Sequence, residues 1–479
     1  MERENRQESL SVKGLLFVMM TVSLCGCSSH CYRARPLTLN STNLTESVSE
    51  AFSTQSVCEG VFYNEKWWTF FKDPQLNQFI EISLSSHPNI KAAEASIRLA
   101  YEQAKEAKSV LLPHFSLIGN PVVSHLGDAS PGGVSDINVF AFGLGSSLYE
   151  LDIWNKNRSL YYSALDEVQA QIADFKETQL LLSSAVAQAY FNLQLSLSRL
   201  KINQERLKAR KGLLSILDQQ YRFGIISEYR LYEVSTEVQI LQDLVYQIEG
   251  DIEISYNALS ALVGNVSCCP ELKKCMREPS ARFDKSFPLP KALPIDLLVR
   301  RPDITAQRWR IEGSCYEIKA SQARFYPSID LFGLVGGILE CFKNPSPVAL
   351  GTAIGALPLF TAGKLQAQLG VAQETLEIAI ENYNQLVLNA VQQVSDALTR
   401  LTTSDERAIS LQRSIKDAEG LLTLTSQKFE NGIANKIPVL NAIENLLIQK
   451  DLENEVQLLR FLSAVELMRA IGGGYYDCL

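Results

Sequence analysis

The sequence predicts an α+β membrane protein, with transmembrane β-strands continued by a long α-helical coiled coil and the whole built from a tandem repeat. Three observations carry this reading. Apolar residues recur every seven positions along a stretch long enough for a helix of about 60 residues. A ten-residue segment alternates large apolar with small residues. The chain also matches itself at a fixed offset.

Composition sets the bounds. Of 479 residues, 46% are apolar and 20% charged, too polar for a bundle of membrane-spanning helices. The net charge of -8 and the lack of a basic patch argue against nucleic acid as a partner.

At the N-terminus, Gly14 to Leu24 is a short apolar run behind Lys13, Arg6 and Arg3, suited to a signal-peptide core and too short to span a bilayer. Glu2, Glu4 and Glu8 dilute its positive flank. Leu24-Cys25-Gly26-Cys27 resembles a bacterial lipobox, which makes Cys27 the residue that is lipidated and becomes the new N-terminus. A plain signal peptide cut nearby is the alternative. Ser28 after that cysteine favours the outer membrane by resemblance to lipoproteins. Of the ten cysteines, eight then remain: Cys31, Cys58, Cys268, Cys269, Cys275, Cys315, Cys341 and Cys478. An oxidising periplasm permits disulfides. The Cys268, Cys269, Cys275 cluster lacks zinc spacing; it reads as a loop staple, with Cys58 as a further member, or equally as free thiols.

The internal match orders the rest. Leu151-Asp152-Ile153-Trp154-Asn155-Lys156 lies 208 positions before Leu359-Phe360-Thr361-Ala362-Gly363-Lys364. Tyr221 matches Phe429 and Leu262-Val263-Gly264 matches Ala470-Ile471-Gly472 at the same offset. Upstream the offset is 214, pairing Pro88-Asn89-Ile90 with Pro302-Asp303-Ile304. The expected organisation is a signal peptide at 1–26, an equatorial segment at 27–75, a first repeat at 76–264, a linker at 265–291, a second repeat at 292–472 and a tail at 473–479.

Each copy opens with a helix, from near Leu76 or Leu293 to just before Pro113 or Pro327. Two strands and two long helices follow. In the first long helix Leu165, Ile172, Gln179, Val186, Leu193, Leu200, Leu207, Leu214 and Tyr221 recur every seven, beside a companion seam of Val168, Phe175, Leu182, Ala189 and Leu217. No Gly or Pro interrupts Ser159 to Lys211. Asp405 and Glu406 lie in a polar stretch that reads as solvated, or as the approach to a second helical tip.

In Val139 to Leu148 one face carries Phe140, Phe142, Leu144 and Leu148, the other Ala141, Gly143, Gly145 and Ser147. That suits a strand with lipid on one side and a lumen on the other, the small residues keeping the bore open. Ser328 to Gly336 and Leu350 to Leu357 read similarly. Two copies give about four strands, which cannot close a barrel, and lipid does not tolerate an open edge. Several chains must then share one barrel; three supply about twelve strands.

The motifs add a resemblance. Trp67-Trp68 with Phe70 and Asp73-Pro74, then Tyr149-Glu150-Leu151-Asp152-Ile153-Trp154, then Leu297-Leu298-Val299-Arg300-Arg301-Pro302-Asp303-Ile304, and finally Gly472-Gly473-Gly474 follow in order. Together they resemble the TolC-like outer-membrane efflux factors, especially their lipoprotein branch, from Trp67 to Tyr475. Asn155 stands where that family usually has glycine, and Tyr475 where tryptophan is common. Each motif also has a packing reading: Pro302 and Asp303 suit a helix start, and Trp67 and Trp68 suit a core.

The resemblance implies a homotrimeric passive duct in the outer membrane. It is closed at its periplasmic tip by inward-leaning coiled coils, met there by a periplasmic adaptor protein and driven by an inner-membrane pump of the RND type. Outer-membrane lipids are the remaining partner, and no cofactor is implied. Phe429-Glu430-Asn431-Gly432 resembles the family's aromatic-x-x-Gly turn. The resemblance places Ile437 and Asn441 at the closed aperture; the family commonly has an acid at the latter, so an anionic ring there is in doubt. Glu233 is the first-copy equivalent of Asn441 and a second source of negative charge, or both line a solvated face. His30, His87, His114 and His125 form no metal pair, and there is no GxSxG or P-loop, so no catalytic or metal residue is assigned. Two alternatives stay open: a type I protein-secretion duct and a non-channel coiled-coil envelope lipoprotein.

Overall fold

The computed structural model describes residues 66–125, 136–146, 148–264, 301–340 and 343–474. Cys27, the linker at 265–291, Leu293, Arg300, Ser147 and every cysteine except Cys315 lie outside these residues. Cys315 is half-buried and unbridged.

A 3-10 turn, Trp67–Phe71, leads into α1 (Pro74–Ser86) and α2 (Pro88–Ser109). The single helix expected here is therefore two. His87 is extended, with φ -65° and ψ 135°, because the ring of Pro88 disfavours the helical region for the residue before it. Strands β1 (Phe115–His125), β2 (Asp136–Ser146) and the short β3 (Tyr149–Glu150) precede α3 (Lys156–Arg222) and α4 (Glu228–Val263). The second series is α5 (Pro302–Ala323), β4 (Ser328–Glu340), β5 (Lys343–Ala356), α6 (Lys364–Glu430) and α7 (Ile437–Ala470).

The two series correspond element by element, apart from β3, which has no counterpart among the described residues of the second. Helices α3 and α6 are both 67 residues long, about 100 Å at 1.5 Å per residue. Helices α2 and α5 both have 22 residues and open on proline. The turn after α3 has Gly224 at φ 71° and the turn after α6 has Gly432 at φ 72°. Of the two readings of Asp405 and Glu406, the second helical tip fails, because α6 runs unbroken through them, while Glu406 is exposed. Asp405 meets Arg460 of α7 at 2.7 Å, so its charge serves the contact between the two helices.

The strands form one antiparallel sheet in the order β1-β2-β4-β5, with β3 continuing the pairing of β2 along β4. Its outer strands are β1 and β5. Directly opposed residues share a face. The register puts Phe115 and Leu117 on the face of Phe142, Leu144 and Val335. Gly143 and Gly145 lie on the other face, but so do Leu334, Leu350 and Ile354, while Ala349 and Gly351 join the first. The large-out, small-in alternation of β2 is thus reversed in β5. Gly143 and Gly336 also have a local reason to be small. They are cross-strand partners, and a Cβ on Gly336 would lie 2.1 Å from the Phe142 carbonyl oxygen.

The helices pack side by side. Near the sheet α3 lies between α2 and α5, and α5 contacts α6; further along, α3 contacts α4 and α7, and α7 contacts α6. Where these rows meet, Trp67, Phe71, Leu76 and Ile80 pack with Tyr190, Phe191 and Leu193 of α3, Leu259 of α4, Leu401 of α6 and Phe461 of α7.

Candidate aperture at the hairpin ends

The α3–α4 and α6–α7 hairpins close with the same bonding: Ile225 N–H donates to Gln220 O (2.9 Å) and Ile433 N–H to Lys428 O (2.8 Å). Both are glycine C-caps, where a positive φ lets the chain reverse after the last helical turn. Phe223, Ile225, Tyr229 and Ile433 are exposed around these turns.

Just inside them, α3, α4 and α7 converge. Ala209, Leu213 and Leu217 pack with Val234 of α4 and Leu440 of α7, and Ile437 lies half-buried against this cluster. A polar layer follows. Glu444 of α7 is 4% exposed and accepts from Arg206 Nε (3.1 Å) and Nη2 (2.9 Å). Arg210 donates to Asn441 Oδ1 (3.2 Å), and its Nε lies 3.5 Å from Glu237 and 4.0 Å from Glu444. Two arginines thus face two carboxylates, so the layer carries no net charge. Asn441 adds an acceptor without adding charge. One heptad toward the sheet Arg199 pairs with Asp451 at 3.1 Å. An apolar layer of Leu207, Val238, Leu241 and Val245 lies alongside.

Ile437 and Asn441 are therefore both on the α7 face that meets α3. Glu233 is exposed on α4 and pairs with Arg230 of the same helix; no contact joins it to Asn441. Sequence reasoning missed Arg206, Arg210, Glu237 and Glu444. A signal existed: Arg199 and Arg206 are seven apart, as are Glu444 and Asp451, a charge repeat in step with the heptads.

The motif residues assemble the middle of the molecule. Trp67 and Trp68 are buried, and Trp67 Nε1 donates to Ser183 Oγ at 3.2 Å. Asp73 caps α1 through Gln75 and Leu76 N–H and accepts the Tyr190 hydroxyl at 2.6 Å. Arg301 grips Asp303 through two nitrogens (3.0 and 2.8 Å), and its Nη1 donates to Gln393 of α6 (2.9 Å) and to the Ala470 carbonyl of α7 (3.0 Å). Pro302 is the first residue of α5. Gly472 must be small, since at φ 86° its Cβ would lie 3.2 Å from Arg301 Cα. Beside this clamp, burial and then the Asp303 carboxylate push Glu177 up to about 7, against the opposing pull of Arg301 and Arg469. Trp154 donates to the Pro327 carbonyl at 2.8 Å and stacks on Tyr326. These motif residues hold elements together.

A profile of the family described as outer membrane efflux protein matches residues 79–265 and 293–473. The chain is 26% identical over 435 residues to the toluene efflux pump outer membrane protein TtgC of Pseudomonas putida, covering 89% of each chain. It is 28% identical over 434 residues to the putative multidrug resistance outer membrane protein MdtQ of Escherichia coli, covering 86% of this chain and 88% of that one. The fold superposes on the Campylobacter jejuni CmeC outer membrane channel with a TM-score of 0.81 at 22% identity, covering 89% of this chain and 91% of that one. It superposes on the outer membrane protein VceC of Vibrio cholerae with a TM-score of 0.76 at 25% identity, covering 86% of this chain and all of that one. With two profile segments that span most of the chain and fall on its two helix–strand–helix series, this protein belongs to the outer membrane efflux protein family.

Proposed function

We propose that the chain is one of three identical subunits of an outer-membrane duct that exports small molecules. The observation that carries this is the doubly open architecture. Among the described residues the sheet ends on unpaired β1 and β5, and the helix row ends on α6 at one side and on α2 and α4 at the other. Sheet and helices thus stop at matching sides. A four-stranded sheet cannot satisfy its edges in lipid, and three copies give about twelve strands. Apolar residues at the open helical sides, Ile240 and Ile254 on α4 and Ile378 on α6, suit burial against further copies. Among the described residues no helix is long and apolar enough to cross a membrane, so the sheet is the part read as spanning it.

In this reading Cys27 carries the lipid anchor, the equatorial belt is completed by residues 27–75 and 265–291, and the second repeat runs over 292–472. The hairpin ends face the periplasm. Their exposed Phe223, Ile225, Tyr229 and Ile433 meet a periplasmic adaptor, and an RND-type inner-membrane pump supplies the energy. The names of the relatives, which refer to toluene efflux and to multidrug resistance, favour small-molecule cargo over protein secretion. Ile437, Asn441 and Glu233 are assigned to the aperture region.

The test is single-channel conductance of purified trimer in planar bilayers. Wild type is expected to give small, brief openings, and Asn441→Asp to alter both their frequency and their ion selectivity by placing a carboxylate beside Arg210. A verified trimer that stays silent even with its adaptor would sink the duct reading. The anchor has its own check: Cys27→Ala should abolish acyl labelling, and an unmodified mature N-terminus in the wild type would refute it.

A further inference from the structure

The two copies differ in charge where the sheet meets the long helices. In the first copy the chain serves the start of α3 itself. Asp152 Oδ1 accepts from Asn157 N–H at 2.9 Å and Oδ2 from Arg158 N–H at 2.7 Å, while Glu150 pairs with Lys156. A carboxylate at a helix start satisfies free N–H groups and meets the positive end of the helix dipole. The positions 208 later are Pro358, Phe360 and Lys364, so both acids are gone and the cation is kept. Helix α6 accordingly starts at Lys364 without a side-chain cap. A second cation is added: Arg324 stands where the first copy has Val110, at the 214 offset.

Arg324 is half-buried, and neither it nor Lys364 has an ion pair or side-chain hydrogen bond among the described residues. Both line one cavity of about 450 Å³. The carboxylate on its wall, Glu317, accepts the Ser163 hydroxyl at 3.4 Å. Arg324 also lines a second cavity of about 330 Å³, beside Trp154, Tyr326 and Leu357. The acids of that cavity, Glu150 and Asp152, are the ones already engaged in the first copy. The adjoining Leu359 and Phe360 are 84% and 90% exposed.

We propose that this corner holds the phosphate of an anionic membrane phospholipid. Arg324 and Lys364 are its cations, and the acyl chains run past Leu359 and Phe360 along the sheet. The occupant is a lipid rather than a soluble anion because the cations adjoin exposed apolar residues and a stacked Trp–Tyr pair, the composition of a membrane–water boundary. The lipid would supply the negative charge that Asp152 and Glu150 supply in the first copy.

The inference rests on the sheet being membrane-embedded. The test is native mass spectrometry of the full-length detergent-solubilised protein with added palmitoyl-oleoyl-phosphatidylglycerol. Wild type should retain the lipid, and Arg324→Gln/Lys364→Gln should bind it roughly 10- to 30-fold more weakly, as expected for two surface cations. Phe360→Asp restores the acid of the first copy. It should displace the lipid and raise the melting temperature, which separates loss of the site from loss of the fold. Retention at wild-type strength in both variants overturns the proposal, and so does displacement by an excess of inorganic phosphate, which marks a soluble-anion site. Protein that does not insert into phosphatidylglycerol vesicles fails the membrane reading itself; protein that inserts but is indifferent to these substitutions fails only this inference.

Discussion

Glu177 sits among four charged neighbours where α3, α5 and α7 meet, and its burial makes the neutral carboxyl the favoured form up to about pH 7. Its folded value lies above the ordinary 4.5, so the unfolded chain holds fewer protons between these values. Stability therefore falls as pH rises through that window. Glu177→Gln should raise the melting temperature at pH 8 and flatten its decline between about pH 5 and pH 7.5, the difference being roughly 2–3 kcal/mol. Thermal unfolding across that range measures it, and a wild type whose melting temperature climbs from pH 5 to pH 8 would contradict it. Asp73 caps α1 and accepts from the Tyr190 hydroxyl, which burial and this carboxylate hold well above the ordinary phenol range. Asp73→Ala should cost about 2–4 kcal/mol, since it removes a cap and strands a buried hydroxyl. Asn155 shows how a departure from the family pattern is absorbed. It has φ 57°, the left-handed conformation that Asn accepts more readily than most residues, and its second-copy counterpart is Gly363 at φ 81°.

Pairs of elements are held by close approach and by charge. Strands β2 and β4 come together at Gly143 and Gly336, where no side chain fits on the latter. Gly336→Ala should cost about 3 kcal/mol through overpacking against backbone and abolish heat-modifiable migration on gels. Gly351→Ala on β5 meets nothing within 4 Å and should migrate as wild type; equal behaviour of the two would refute the close-approach argument. Helices α3 and α7 are joined by Arg199–Asp451 and Arg206–Glu444, with Arg210 reaching across to Glu237 of α4. Removing one member of a buried pair leaves its partner charged and uncompensated, at a cost of roughly 3–5 kcal/mol. Arg206→Ala should melt earlier by that margin, and adding Glu444→Leu should recover most of the loss. No recovery in the double variant would mean that Arg206 acts through something other than Glu444.

At the scale of the whole molecule, the sheet has two free edges and the helix row two uncovered sides among the described residues. Light scattering of the detergent-solubilised protein, corrected for bound detergent, should give about three times the chain's 53.3 kDa. Ile240→Asp/Ile378→Asp, which places charge on both open sides, should shift it toward monomer. A monodisperse monomer or dimer from the wild type would exclude the shared barrel.

Much of this was legible in the sequence because the features involved are periodic or local. The heptads give the long helices, the alternation gives β2, proline and glycine mark where the helices begin and turn, and the fixed offsets of 208 and 214 recur in the paired helix ends. Ile437 and Asn441 were singled out by the family resemblance and not by periodicity. What touches what was decided by tertiary structure. Residues at equivalent places in the two copies have different surroundings, because α7 packs against both α3 and α6 whereas α4 packs chiefly against α3. Asn441 therefore meets Arg210 while Glu233 pairs with Arg230 on its own helix. Sheet register likewise decided that Leu350 shares a face with Gly143, which no single strand's alternation can state. Periodicity records which side of an element is apolar; only the packed chain determines which other element that side meets.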